Sequence, residues 1–121
     1  MINKLDDSKP IFLQIKEYIE DSIIRGVLKE GEKVPSTNEF AAFYKINPAT
    51  AAKGINELVA EDILFKRRGV GMFVAENAKL LLITKHKEGF YEEYIKPLKQ
   101  AAEKLNISKP DLLNMLKRED S

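Results

Sequence analysis

The sequence predicts a mostly α (α+β) fold: three short N-terminal helices, a two-stranded β-hairpin and a helical tail. Three observations carry this. Apolar residues recur at spacings of three and four over most of the chain. Two helix-start signals follow closely on one another between Ser36 and Pro48. One β-prone stretch, Ile63 to Ala75, is broken by glycines.

The first helix begins near Pro10, because Phe12, Ile15, Ile19 and Ile23 form one apolar stripe with Lys16, Glu17, Glu20 and Asp21 between them. Ser8 is the expected cap, Pro10 suits a first turn, and Gly26 can end the helix in a left-handed conformation. Lys29 to Pro35 is polar and interrupted by Gly31 and Pro35, so it reads as a surface connection. Ser36-Thr37-Asn38-Glu39 has the form of a capping box and opens a second helix of roughly Thr37 to Tyr44. Asn47-Pro48 then starts a third helix after a very short gap. Two short helices joined so tightly must cross steeply, as in a helix-turn-helix.

On the third helix, Ala51, Ile55, Leu58 and Val59 share one face, while Ala49, Lys53 and Asn56 lie opposite with Thr50 at the margin. Ile63 to Arg67 and Met72 to Ala75 flank Arg68-Gly69-Val70-Gly71, which reads as a hairpin with a basic tip. Beyond Glu76 the pattern is helical again. Leu80 to Ile83 fits a strand on periodicity alone, but its flanks carry no turn signal. Tyr91, Ile95, Leu98, Ala102 and Leu105 form a heptad seam, and Ser108-Lys109-Pro110-Asp111 opens a last helix bearing Leu112, Leu113 and Leu116. Pro97 predicts a kink in the long segment.

Composition bounds the function. The chain has 121 residues, 44% of them hydrophobic, enough for one small core and at most an accessory segment. Twenty Lys and Arg stand against nineteen Asp and Glu, so an electrostatic partner must be met by a local patch. The absence of cysteine excludes disulfides, thiolate metal sites and cysteine nucleophiles, and His86 is the only imidazole. No apolar run, Leu80 to Ile83 included, comes near the length of a membrane span. Met1 to Asp7 is polar and acidic, unlike a signal peptide, so a cytoplasmic protein is expected, nucleoid-associated if its partner is DNA.

The charges are segregated. From Phe40 to Asn56 there are only the cations Lys45 and Lys53, and from Ile63 to Ala75 only Lys66, Arg67 and Arg68, with no acid in either stretch. The acids Glu17, Glu20, Asp21, Glu30 and Glu32 sit on the first helix and the loop after it. A surface that meets phosphates requires such segregation, since a carboxylate there would be desolvated beside like charge. A lone basic run is more often a solvated face. Joined to a tight helix pair and a glycine-tipped hairpin, it points to double-stranded DNA.

These residues carry a family resemblance. Ile11-Phe12-Leu13-Gln14-Ile15, Gly26-Val27-Leu28, Gly31 to Ser36, Glu39-Phe40-Ala41, Ile46 to Thr50, Asn56-Glu57-Leu58 and Arg67 to Val74 stand in the order and spacing of GntR-family transcriptional regulators. The chain resembles the short YtrA-like branch most. The resemblance is close from Pro10 to Ala75 and looser in the tail. It implies a winged helix-turn-helix that binds operator DNA as a homodimer, with helix three in the major groove and the wing tip in the minor groove. It implies a repressor, a phosphate-proximal role for Ser36, a recognition-helix hydroxyl in Thr50 and a wing tip of Arg68 and Gly69. Asn38 stands where the family usually has arginine, and Pro48 where many members do.

The DNA-binding residues expected on these grounds are Ser36, Thr37, Asn38, Lys45, Asn47, Ala49, Thr50, Lys53, Asn56, Lys66, Arg67, Arg68 and Gly69. Lys45, Lys66, Arg67, Arg68 and the helix-start amides are expected to hold the backbone, and Ala49, Thr50, Lys53 and Asn56 to face base edges. A two-fold dimer would meet half-sites about 34 Å apart in an inverted repeat. Residues 1–76 are assigned to DNA binding and 77–121 to dimerisation through Leu81, Tyr91, Tyr94, Ile95, Leu98, Ala102, Leu105, Leu112, Leu113 and Leu116.

Each assignment has a plainer counterpart. Thr50 can cap a backbone carbonyl, Ser36 and Asn47 are helix caps first, and Lys53 can be solvated. Phe90, Tyr91 and Tyr94 can line an effector pocket, although aromatics at helical spacing usually serve a core or an interface. No metal or cofactor is expected. The rival function is a winged-helix protein-interaction module without operator binding, which calls for an apolar outer face on helix three. An enzyme is not expected, since Glu61-Asp62 and Glu92-Glu93 are adjacent and diverge on a helix.

Overall fold

A computed structural model of the chain describes residues 5–120, so Met1 to Lys4 of the polar N-terminal stretch and Ser121 lie outside the described residues. The elements run α1 (Ile11–Ile24), α2 (Thr37–Tyr44), α3 (Pro48–Ala60), β1 (Leu64–Arg67), β2 (Gly71–Val74), α4 (Ala78–Phe90), a π turn (Tyr91–Ile95), α5 (Lys96–Lys104) and α6 (Lys109–Lys117). The chain divides into two compact units, Met1–Thr84 and Lys85–Ser121.

In the first unit, the α1 stripe, the inner faces of α2 and α3 and the inner face of the hairpin close on one core. Ile15, Ile19 and Ile23 meet Phe40, Ala51, Ile55, Leu58, Leu64 and Val74 there. Ala78 and Leu82, from the first turns of α4, are fully buried in the same core. The hairpin is antiparallel, with Leu64 opposite Val74, Phe65 opposite Phe73, Lys66 opposite Met72 and Arg67 opposite Gly71. Alternation therefore sends Leu64 and Val74 inward and Phe65, Phe73 and Arg67 outward.

The start of α1 differs from expectation. Pro10, not Ser8, occupies the cap, and the amides of Leu13 and Gln14 donate to its carbonyl at 3.1 and 3.2 Å. Ser8 instead closes a local turn, its amide donating to Asp6 Oδ1 at 2.8 Å. The buried Gln14 fixes this lead-in: its Oε1 accepts from the Asp6 amide at 2.8 Å and its Nε2 donates to the Lys9 carbonyl at 2.9 Å. With Pro10 pre-set near helical φ and Gln14 tying down the chain before it, a hydroxyl cap is unnecessary. At the other end Gly26 has φ +81°, the left-handed stop that the sequence suggests.

The second unit contains the end of α4, the π turn, α5 and α6. The irregularity expected at Pro97 takes the form of the π turn just ahead of it, in which the Lys96 amide donates to the Tyr91 carbonyl, five residues back. Proline offers no N–H to the carbonyl four residues before it, and a wider turn relieves the clash of its ring. Along α5 and α6, Ala102 is buried, Ile95, Ile107 and Leu112 are half-buried, and Leu98, Leu105, Leu113 and Leu116 are exposed. Together with Lys99, Glu103 and Lys109, these residues other than Leu105 border an open apolar groove of about 510 Å³. No helix of the described residues is long and apolar enough to cross a membrane.

Candidate nucleic-acid interface

The capping box that starts α2 is complete. Ser36 Oγ accepts from the Glu39 amide at 3.0 Å, and the Ser36 amide donates to Glu39 Oε1 at 3.1 Å. The bond from the Ser36 amide holds the Glu39 carboxyl below the ordinary carboxylate range. The link to α3 is closed by Lys45 in the left-handed region at φ +55°, leaving its side chain exposed. Asn47 Oδ1 accepts from the Ala49 amide at 2.9 Å, and Pro48 follows at the first helical position, where its missing N–H costs nothing. Ser36 and Asn47 are thus caps in fact. Thr37 is half-buried and Asn38 exposed on the first turn of α2.

On α3, Ala49, Lys53 and Asn56 are exposed and Thr50 is half-buried at their edge, so the outer face is small and polar. Among the described residues the Thr50 hydroxyl bonds no backbone carbonyl, in contrast to Ser22 and Thr84, which donate four residues back. Lys53 is not freely solvated, because its Nζ lies 4.0 Å from the centre of the Phe12 ring on α1. Gly54 explains this close docking. A Cβ there would fall 2.5 Å from the Phe12 carbonyl oxygen, so only glycine lets α3 approach α1 so nearly.

The same two helices are tied by an ion triad. Lys16, with a side chain only 9% exposed, reaches Glu57 at 3.2 Å and Glu61 at 2.5 Å. Burial alone would lower the Lys16 pKa, but the bonds from Glu61 and Glu57 outweigh it and raise the value above the ordinary lysine range. Glu57 of α3 and Glu61 at its C-terminal cap are thereby drawn toward α1.

The hairpin sorts its three cations. Arg67 lies outward over the stacked rings of Phe65 and Phe73, its guanidinium carbon 5.2 Å from the Phe73 centroid. Lys66 points to the opposite face, and Arg68 and Gly69 stand exposed at the turn, where Gly69 has φ +78° and the Val70 amide donates to the Arg67 carbonyl at 2.9 Å. The expected residues therefore form two patches: the outer face of α3 with the α2 and α3 caps, and the wing tip.

Sequence reasoning missed Phe12, Lys16, Gly54 and Lys33. Phe12 and Lys16 read as ordinary members of an amphipathic helix, and a glycine inside a helix, as at Gly54, is a poor helix former whose spacing names no partner. Lys33 sits in what reads as a connection, yet residues 31–34 pair with β2 as a third short edge: Lys33 bridges to Phe73 and the Val34 amide donates to the Met72 carbonyl at 2.9 Å.

In the second unit, Phe90, Tyr91 and Tyr94 are exposed, with Phe90 and Tyr94 centred 5.2 Å apart and Tyr91 accepting from Lys99 Nζ at 3.1 Å. They do not line the α5–α6 groove. Of the residues expected at a subunit contact, Ala102 is buried, Ile95 and Leu112 are half-buried and Leu81, Leu98, Leu105, Leu113 and Leu116 are exposed.

The chain is similar to known proteins over up to 97% of its length. Residues 12–74 match the family described as bacterial regulatory proteins, gntR family. The uncharacterized HTH-type transcriptional regulator YhcF of Bacillus subtilis (strain 168) is 34% identical over 97% of this chain and 95% of its own length. The HTH-type transcriptional repressor YtrA of the same organism is 38% identical over 63% of this chain and 58% of its own length. Among solved structures, a GntR family transcriptional regulator from Listeria monocytogenes superposes with a TM-score of 0.74 at 28% identity, covering 96% of this chain and 100% of that one. AraR(DBD) in complex with operator ORX1 superposes with a TM-score of 0.54 at 30% identity, over 62% of this chain and 92% of that one.

Proposed function

The chain belongs to the GntR family of bacterial regulatory proteins, and from that premise we propose that it is a DNA-binding transcriptional repressor that takes an inverted-repeat operator as a homodimer. The observation that carries the reading is the α3 surface: Ala49, Lys53 and Asn56 are exposed, with no acid among them, beside a wing that presents Arg68 and Gly69. Small side chains let the helix sink against base edges, and the polar ones can bond to them. The similarity to an operator-bound AraR(DBD) structure and to the repressor YtrA supports the same reading.

In this arrangement α3 enters the major groove and the wing tip the adjacent minor groove. Lys45, Lys66, Arg68 and the amides at the starts of α2 and α3 hold phosphates, with Ser36, Thr37, Asn38 and Asn47 close to the backbone. Thr50, Lys53 and Asn56 read bases, and Ala49 offers its methyl. One helix reads too few bases to find a site, so two copies are needed. The tail supplies the contact, residues 77–121 presenting Leu98, Leu113 and Leu116 to a partner copy while Ala78 and Leu82 complete the first core. The protein works in the cytoplasm on the nucleoid, without a cofactor and without catalysis.

A winged-helix protein-interaction module needs an apolar outer face on α3, which Lys53 and Asn56 do not provide. The two functions separate in one experiment. The purified protein is titrated with salt on random genomic fragments and the retained fragments are sequenced. A shared inverted repeat and a steep salt slope are expected. Retention without a motif, or none at about 0.1 M salt, would instead favour a protein partner.

A further inference from the structure

Resting on the DNA-binding reading, we infer that Lys33 is a fourth cation of the wing and holds a DNA backbone phosphate. It comes from a different part of the chain than the hairpin and reaches the wing by strand pairing. The Gly31 amide donates to the Val74 carbonyl at 2.8 Å, the Val74 amide to the Glu32 carbonyl at 2.9 Å, and Lys33 itself stands opposite Phe73. Paired residues point to the same side of a sheet, so Lys33 shares the outward face of Phe73, Phe65 and Arg67, away from the buried Leu64 and Val74.

The direction of its side chain is fixed by what it crosses. A Cβ on Gly71 would lie 2.7 Å from Lys33 Cε and 3.5 Å from Nζ, so the stem is laid over the one residue of β2 without a side chain. That delivers the ammonium beside Gly71, which pairs with Arg67 and closes the turn carrying Arg68 and Gly69. Among the described residues Lys33 forms no ion pair. The acid whose charge it feels, Glu39, is engaged by the Ser36 amide in the capping box. The same loop runs on through Pro35 into the start of α2, so Lys33 stands against the wing only three residues ahead of the α2 cap, Ser36. A compact ammonium on a flexible stem suits a phosphate, which carries no sequence information, better than a base edge.

The test uses the full chain, its selected operator and a scrambled duplex of equal length, with Lys33→Gln, Lys33→Arg and Arg68→Ala compared over a salt series. Loss of one phosphate contact lowers the slope of log K against log salt by about 0.9, which is about eightfold in affinity at about 0.1 M salt. Lys33→Gln is expected to show that loss equally on operator and scrambled DNA, with an unchanged melting temperature, and Lys33→Arg to restore it. An unchanged slope in Lys33→Gln overturns the inference while wild type and Arg68→Ala still report on DNA binding itself. A loss confined to the operator, or one that follows a lowered melting temperature and resists Lys33→Arg, overturns it too. Failure of the wild type to bind either duplex sinks the underlying reading along with it.

Discussion

Lys53 of α3 rests its ammonium over the ring of Phe12, 4.0 Å from the centroid, so a residue of α1 sets where an exposed cation of α3 stands. Such a contact at an exposed site is worth about 0.5–1 kcal/mol. Lys53→Ala or Asn56→Ala is expected to change which sequence is preferred. Phe12→Leu should narrow the operator-to-scrambled affinity ratio by about two- to fivefold through loss of that contact, and Phe12→Tyr should not. Competition binding checks this, and Phe12→Leu made on Lys53→Ala should add nothing. Equal losses on both duplexes for the α3 variants would contradict the assignment.

Gly54→Ala and Gly89→Ala form a matched pair within helices. At Gly54 the added methyl meets the Phe12 carbonyl oxygen at 2.5 Å, whereas nothing lies within 4 Å at Gly89. Overpacking of about 1–3 kcal/mol outweighs or cancels the helix gain of about 1 kcal/mol at Gly54. Only the gain remains at Gly89. Thermal unfolding should show a lower or unchanged midpoint for the first and a higher one for the second. A clear rise for Gly54→Ala would disprove the close approach.

Lys16 makes a pH prediction. Its pKa is raised in the folded chain because the bonds to Glu61 and Glu57 outweigh burial. The stabilisation is therefore complete below the ordinary lysine value of 10.5 and is lost as pH rises through the folded value above it. Lys16→Met, which keeps most of the apolar stem, should flatten the fall in stability above that pH relative to wild type. Chemical denaturation across the alkaline range measures it, and parallel curves for the two proteins would refute it.

Arg67 and Arg68 should separate. Arg68→Ala is expected to weaken binding to every sequence and reduce the salt slope by about 0.9. Arg67 packs over Phe65 and Phe73, so Arg67→Ala should chiefly loosen the hairpin, read as faster amide exchange at Phe65 and Phe73. A larger change in salt slope for Arg67→Ala than for Arg68→Ala would reverse these roles.

The tail prediction concerns exposed leucines of α6. Leu113 and Leu116 are 55% and 67% exposed, so glutamate at both should be tolerated by the fold yet disfavour a partner copy. Sedimentation is expected to give a monomer whose first unit melts as in the wild type. A stable dimer would move the interface elsewhere. Truncation for the same purpose must spare Leu82, which is fully buried in the first core.

Helix starts were the most legible part of the fold, because their chemistry is local: Ser36 with Glu39 and Ser108 with Asp111 bond as their spacing implies, and Asn47 accepts from the Ala49 amide with Pro48 at the first helical position. The hairpin was legible from Gly69 and Gly71 and its β-prone flanks. What the sequence could not disclose depends on partners far along the chain. Gly54 is explained only by Phe12, and Lys33 belongs to the wing only because residues 31–34 pair with β2. The cap of α1 was misread because Ser8 is an ordinary N-cap residue, while Pro10 is held by the side chain of Gln14 reaching back across the lead-in. Of the candidate site, the first turns of α3 and the wing tip were visible within the acid-free stretches Phe40 to Asn56 and Ile63 to Ala75. The buttress behind them was not, since neither ring nor ion triad leaves a trace in local spacing.

The burial of Ala78 and Leu82 has a consequence for biosynthesis. Every apolar side chain that closes the first core is made before Val74 except that residue and these last two. A ribosome adds residues at about 5–20 per second, so the nascent core stays open for about one further second after the hairpin has emerged. During that interval the first core lacks its last two apolar side chains, which the emerging first turns of α4 supply. Arrest of translation just before Leu82 should therefore leave a protease-sensitive chain, and arrest well after it a resistant one.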